Sequence, residues 1–112
     1  MSYDVLTTPQ FDREVKKLSK KYRSLKADLN DLSEQISENP MSGDPLGENL
    51  FKVRLAISSK GRGKSGGGRV VTFLRRPNAE IYLIAIYDKS EIATLSKQQI
   101  KAILKAAGLS NE

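Results

Sequence analysis

The sequence predicts an α+β fold: a helical hairpin and a C-terminal helix packed on one face of a small, mostly antiparallel sheet. Three observations carry this. Residues 9–39 hold two consecutive stretches with apolar side chains at helical spacing. Residues 51–87 switch to period two and hold three strand-like runs with turn-rich connections. A third helical stretch follows at 96–108. Strands grouped in sequence pair antiparallel, and helices outside the group cover one face. With a short strand at the start the order is β-α-α-β-β-β-α. The 112 residues make a single domain, 1–112, with one modest core.

Each element has its own signal. Tyr3–Thr7 is mixed in character and reads as an edge strand. Thr8-Pro9 opens a helix, with Thr8 as N-cap and Pro9 at the first helical position, where its missing N–H costs nothing. Phe11, Val15, Leu18 and Tyr22 form one apolar stripe. Ser24 is a second cap candidate, and Leu25, Leu29, Leu32 and Ile36 repeat the spacing until Asn39-Pro40 ends the helix. Met41 to Asn49 is a loop by composition. From Phe51 the alternation points Phe51, Val53, Leu55 and Ile57 one way and Lys52 and Arg54 the other. Core burial of the first set leaves Lys52 and Arg54 side by side on the open face. Ser59 to Gly68 is a basic, glycine-rich loop, Arg69 to Arg76 a strand, and Pro77-Asn78 a turn. Ile81 to Tyr87 is apolar at nearly every position and belongs inside the sheet. Ser96-Lys97-Gln98-Gln99 has the capping-box form, Ile100, Ile103, Leu104 and Ala107 make the last apolar stripe, and Gly108 fits its end.

The charge is concentrated. Lys52, Arg54, Lys60, Arg62, Lys64, Arg69, Arg75 and Arg76 fall in Phe51–Asn78 with no Asp or Glu among them. The chain has 19 Lys+Arg and 13 Asp+Glu and nets +6, so this segment supplies the whole excess. Clustering of that kind is the footprint of a polyanion partner such as nucleic acid. A second basic run, Lys16 to Arg23, reads better as a solvated helix face with pairs such as Asp12–Lys16. Cysteine and histidine are both absent, which excludes disulfides, thiolate metal sites, imidazole bases and Cys-His or Ser-His nucleophiles. Any acid–base chemistry falls to Lys, Arg, Tyr, Asp or Glu. With neither a signal peptide nor an apolar run of membrane-spanning length, the expected location is cytoplasmic, away from membranes.

Gly61-Arg62-Gly63-Lys64-Ser65-Gly66 matches G-x-G-x-x-G, but a strand follows where a dinucleotide site needs a helix. Gly63-Lys64-Ser65 has the ending of a phosphate-binding loop, but Ser58 stands where its first Gly belongs. The glycines alone mark a hairpin loop. Interleaved with Lys60, Arg62 and Lys64, they also let backbone and charge approach a phosphate.

The helical hairpin, then PLGENLFKVRLAI, GKSGGGRVV and an apolar strand running into YDKSEIATLS, with a final helix, resemble the RelE/HigB-type toxins of bacterial toxin–antitoxin systems. The resemblance spans nearly the whole chain. It implies a curved sheet and a ribosome-dependent mRNA endonuclease that needs no metal or cofactor and cuts in the ribosomal A site. Its partners would be mRNA on the ribosome, with rRNA contacts, and a cognate antitoxin. The family's basic positions map onto Lys52 and Arg54, then Arg69, then Lys89. The late Tyr or His of many relatives falls at Leu95, with Tyr87 nearby but offset. The implied catalytic set is Lys52 as base, Arg54 and Arg69 as clamps on the phosphate, and Lys89 as leaving-group acid. Lys60, Arg62, Lys64, Arg75, Arg76 and Tyr87 are the expected RNA contacts. Plain RNA-backbone binding would explain Lys52 and Arg54 equally well. A ParE-like gyrase inhibitor and a non-catalytic RNA-binding module are the alternative functions.

Overall fold

The structure, a computed structural model, describes residues 2–60 and 67–109. The elements are β1 (Asp4–Thr7), α1 (Pro9–Lys21), α2 (Leu25–Glu38), β2 (Asp44–Gly47), β3 (Leu50–Leu55), β4 (Gly68–Arg75), β5 (Glu80–Asp88) and α3 (Lys97–Ala106), with 3-10 turns at Ser58–Lys60 and Arg76–Asn78. They form a five-stranded sheet of order β1-β5-β4-β3-β2. All neighbours are antiparallel except β1, which runs parallel to β5 at one edge.

The helix ends follow their local chemistry. The Thr8 side chain accepts a 3.3 Å hydrogen bond from the Phe11 N–H, with Pro9 at the first helical position. Ser96 and Gln99 close a reciprocal capping box at the start of α3. Gly108 ends α3 with φ +73°. Ser24 precedes α2 as expected, but its hydroxyl makes no cap. It donates instead to Asp28 Oδ2 at 2.7 Å.

Two features differ from the sequence-based expectation. Asp44–Gly47, read as loop, is a fifth strand on the far edge beside β3. Four residues holding a Pro and a Gly carry no alternation to read, and Pro45 is tolerated because the strand is an edge. The second difference is larger. The hairpin helices bury Phe11, Leu25 and Ile36 against Val53, Val70 and Ile81 on one face. The C-terminal helix buries Ile100, Leu104 and Leu109 against Leu50, Phe73 and Tyr87 on the other. Helices therefore cover both faces, not one.

The physical reason lies in the strands. β4 (GRVVTFLR) and β5 (EIYLIAIYD) are apolar on both sides, so a second apolar surface needs cover. β3 alternates from Phe51 onward, with Lys52 and Arg54 on its second face after the buried Leu50. A bulge in β5 adds to this. Leu83 pairs with Thr72 but Ala85 pairs with Val71, so Ile84 is an extra residue. The extra residue inverts the alternation beyond it. Ile81, Leu83 and Ile86 face the hairpin, whereas Ile84, Ala85 and Tyr87 face α3.

Candidate active site

The site is built where β3 ends, β4 begins and β5 ends. Strict alternation along β3 buries Phe51, Val53 and Leu55 and turns Lys52 and Arg54 to the opposite side, Lys52 half-buried and Arg54 exposed. The antiparallel register then sets Arg54 opposite Arg69, and Arg69 opposite Tyr87, in one row across three strands. Lys52 lies one step along the same face, opposite Val71. Directly opposed side chains have Cβ atoms about 5 Å apart, and like charges so placed destabilise the pair. Two arginines facing each other across neighbouring strands are therefore suited to an anion rather than to stability. Lys89 follows the last residue of β5 and is exposed, and its backbone N–H donates to Gly67 O at 3.2 Å. Lys52, Arg54, Arg69 and Lys89, predicted as a set, thus gather at one end of the sheet.

The members are not equally accessible. Arg69 is 5% exposed, and its Nη1 donates to Gly68 O at 2.9 Å. It lies within the fold behind Arg54. Tyr87, expected as an RNA contact, is 4% exposed and packs with the α3 cluster. Its ring cannot stack on a base in this conformation, and its buried hydroxyl has no hydrogen-bond partner among the described residues. The bulge at Ile84 turns Tyr87 onto the face of the basic row, but the apolar α3 cluster on that face buries its ring.

Lys60 departs furthest from expectation. Its side chain lies on the hairpin side, with Nζ 2.8 Å from Asp88 Oδ1 and 5.5 Å from the centre of the Tyr22 ring. A lysine held this way is committed to its carboxylate and not to a polyanion. Arg75 and Arg76 are exposed at the opposite end of β4. Six residues of strand separate Arg75 from Arg69, about 20 Å. Arg75 sits 6.0 Å over the Tyr82 ring, so these two arginines form a separate basic patch. Arg62 and Lys64 lie outside the described residues.

Two buried carboxylates, absent from the sequence-based site, organise this end of the molecule from the hairpin side. Asp88 accepts from Lys60 Nζ, from the Ser90 N–H at 2.9 Å and Oγ at 2.7 Å, and from the Tyr22 hydroxyl. Burial pushes its carboxyl up, but the hydrogen bonds from Lys60, Tyr22 and Ser90 outweigh burial and hold it well below the usual carboxylate range. Asp28 accepts from Ser24 Oγ, Ser58 Oγ and the Ser58 N–H. Its carboxyl is likewise pushed up by burial and lowered further by those bonds. Lys21 reaches Glu91 at 2.9 Å, and that hydrogen bond raises its pKa. The local sequence offered one clue to Asp88, a charged residue closing a wholly apolar strand. Its partners, Tyr22 and Lys60, lie 66 and 28 residues away.

Comparison with known proteins agrees with this architecture. The chain is similar to an E. coli RelE toxin carrying two arginine-to-alanine substitutions, in the free state, with a TM-score of 0.62, 16% identity and 96% of each chain covered. It is similar also to the isolated E. coli RelE toxin, with a TM-score of 0.60 and 17% identity, over 94% of this chain and 99% of that one. At such identities these matches establish the fold. A family model described as the RelE toxin of the RelE/RelB toxin–antitoxin system matches residues 5–112, nearly the whole sequence. Sheet order, helix placement and that match converge, and the chain belongs to the RelE toxin family.

Proposed function

We propose that this RelE-family toxin cuts mRNA in the ribosomal A site and so blocks translation, and that an antitoxin of the same system neutralises it by covering the basic face. The observation that carries the reading is the Arg54–Arg69 row with Lys52 beside it, on the part of the sheet that presents cations where the rest of the face is apolar.

The chemistry suits a reaction with no histidine in the chain. The RNA 2′-oxygen attacks the adjacent phosphorus and gives its proton to Lys52. The bond from phosphorus to the 5′-oxygen breaks, and that oxygen takes a proton from Lys89. The products are a 2′,3′-cyclic phosphate and a 5′-hydroxyl. Arg54 contacts the phosphate as negative charge builds, and Arg69 adds positive charge from the strand behind it. Arg75 and Arg76, at the far end of β4, are suited to the RNA backbone away from the cut.

Primer extension on a defined mRNA, with purified protein and translating ribosomes, tests the reading against ribosome-free RNA. Discrete A-site cuts only in the ribosome sample are expected. Cuts in both samples would make the protein a free ribonuclease. No cuts in either would overturn the reading and bring gyrase inhibition forward. A Lys52→Ala variant that cuts bound mRNA at the wild-type rate would remove Lys52 as the base.

A further inference from the structure

Asp88 lies on the far side of the sheet from the basic row and is 1% exposed. It cannot touch RNA, yet it is the residue on which the two segments flanking the site converge. On its C-terminal side, Oδ1 accepts from both the N–H and the hydroxyl of Ser90, and its carbonyl accepts from the Glu91 and Ile92 N–H groups, each at 3.0 Å. These bonds wind the chain into a tight turn around Lys89. On its other side, Oδ1 holds Lys60, the last described residue before the glycine-rich segment. Gly68, at the end of that segment, is its cross-strand partner. The turn is then tied back to the same stem, because the Lys89 N–H donates to Gly67 O. Tyr22, at the corner between α1 and α2, fixes the second carboxylate oxygen, so the group cannot rotate away.

We propose that Asp88 is a positioning residue: its carboxylate shapes the turn that carries Lys89 and ties that turn to Lys60, while the Lys89 N–H ties it to Gly67, so that Lys89 stays at the end of the Arg54–Arg69 row. Lys60 belongs to this device. It acts as a tether between the 3-10 turn at Ser58–Lys60 and Asp88, in contrast to the expectation of an RNA contact. The inference rests on the cleavage reading above and adds a residue that works only through Lys89. Displacing a reacting group by about 1 Å can cost as much as ~100-fold in rate, so the device matters without touching substrate.

The test is single-turnover cleavage on programmed ribosomes by wild type, Asp88→Asn, Lys89→Ala and the double variant, with ribosome affinity measured in parallel. Asp88→Asn keeps the shape but loses the charge that holds Lys60. It is expected to cut about tenfold more slowly when bound, with affinity within about twofold, because it faces away from the RNA. The double variant should be no slower than Lys89→Ala, since a group acting through Lys89 has nothing left to position. Ser90→Ala, which removes the hydroxyl's bonds with Asp88 and Lys60 and leaves the carboxylate, should show a smaller loss that also vanishes in the Lys89→Ala background. It keeps the proposal testable should Asp88→Asn fail to fold. Wild-type cleavage by both Asp88→Asn and Ser90→Ala, or losses that multiply in the double variant, would overturn the proposal. Absence of cutting by the wild-type protein would overturn the cleavage reading itself, so the two failures are distinguishable.

Discussion

The two faces of the sheet treat charge in opposite ways. On the hairpin face, the inward-turned cation among the described residues meets a buried carboxylate. Lys60 lies against Asp88, and Lys21 at the rim pairs with Glu91. The buried acids of that face are saturated with hydrogen bonds. On the α3 face, Lys52 and Arg54 stand on β3 and, among the described residues, no carboxylate pairs with either. Asp44, the cross-strand neighbour of Lys52, makes no ion pair with it. Buried charge is expensive unless it is neutralised locally. The hairpin face therefore uses its buried charge to build structure, whereas on the α3 face Lys52 and Arg54 have no carboxylate partner among the described residues, as the proposed anion-binding role requires. Net charge alone would not have told these apart, because Lys60 and Lys52 come from the same basic segment.

Substitutions can break this contrast, and the largest effect is expected on the α3 face. Lys52→Ala should lower bound-state cleavage by roughly two to four orders of magnitude, as for loss of a general acid–base group, with thermal stability nearly unchanged. Leu25→Ala, on the hairpin face, should do the reverse. Leu25 is fully buried, and removing its side chain should cost about 2–5 kcal/mol, read by denaturant unfolding, while any folded fraction keeps its bound-state rate.

A pH experiment sharpens the difference. The Asp88 carboxyl is lowered in the folded protein. Its stabilising contribution is therefore complete above the unfolded carboxylate value, ~3.9, and is lost as pH falls through the folded value below it. Wild type should lose stability on acidification below about pH 4, and Asp88→Asn should show a shallower decline over that window, followed by circular dichroism. Arg54→Ala should reduce the salt dependence of RNA binding by about one unit of slope. The smallest effect belongs to Lys101→Ala, because the exposed Lys101–Glu48 pair at 3.7 Å is worth less than about 1 kcal/mol.

Features set by neighbours in sequence were legible from the start. Thr8-Pro9, the Ser96–Gln99 capping box and the alternation through Lys52 and Arg54 each depend on residues a few positions apart. The set of four basic positions was implied by the resemblance to RelE/HigB-type toxins, and the pairing of β3 with β4 and of β4 with β5 is what brings them to one end of the sheet. The side chosen by α3 was not legible, because a helix with one apolar stripe fits either face of a sheet that is apolar on both. Nor was the bulge at Ile84 visible, since it is hidden in a run where every residue is hydrophobic. Tyr87 was misread because the α3 cluster that buries it covers a face the sequence-based fold left open. Lys60 was misread because Asp88 and Tyr22, which capture it, are remote in sequence and offer no periodic signal.

The parallel pairing of β1 with β5 has a consequence for how the molecule comes into being. Asp4 pairs with Glu80 and Thr7 with Leu83, so the first strand made must wait for the last. Such distant pairing is slow to form and cannot start on a partly synthesised chain. The Arg54–Arg69 row can pair earlier, but β5, Asp88 and the Lys89 turn are added only after most of the chain has emerged. A protein proposed to attack ribosomes is thus kept from assembling its site for most of the time it is attached to the ribosome that makes it.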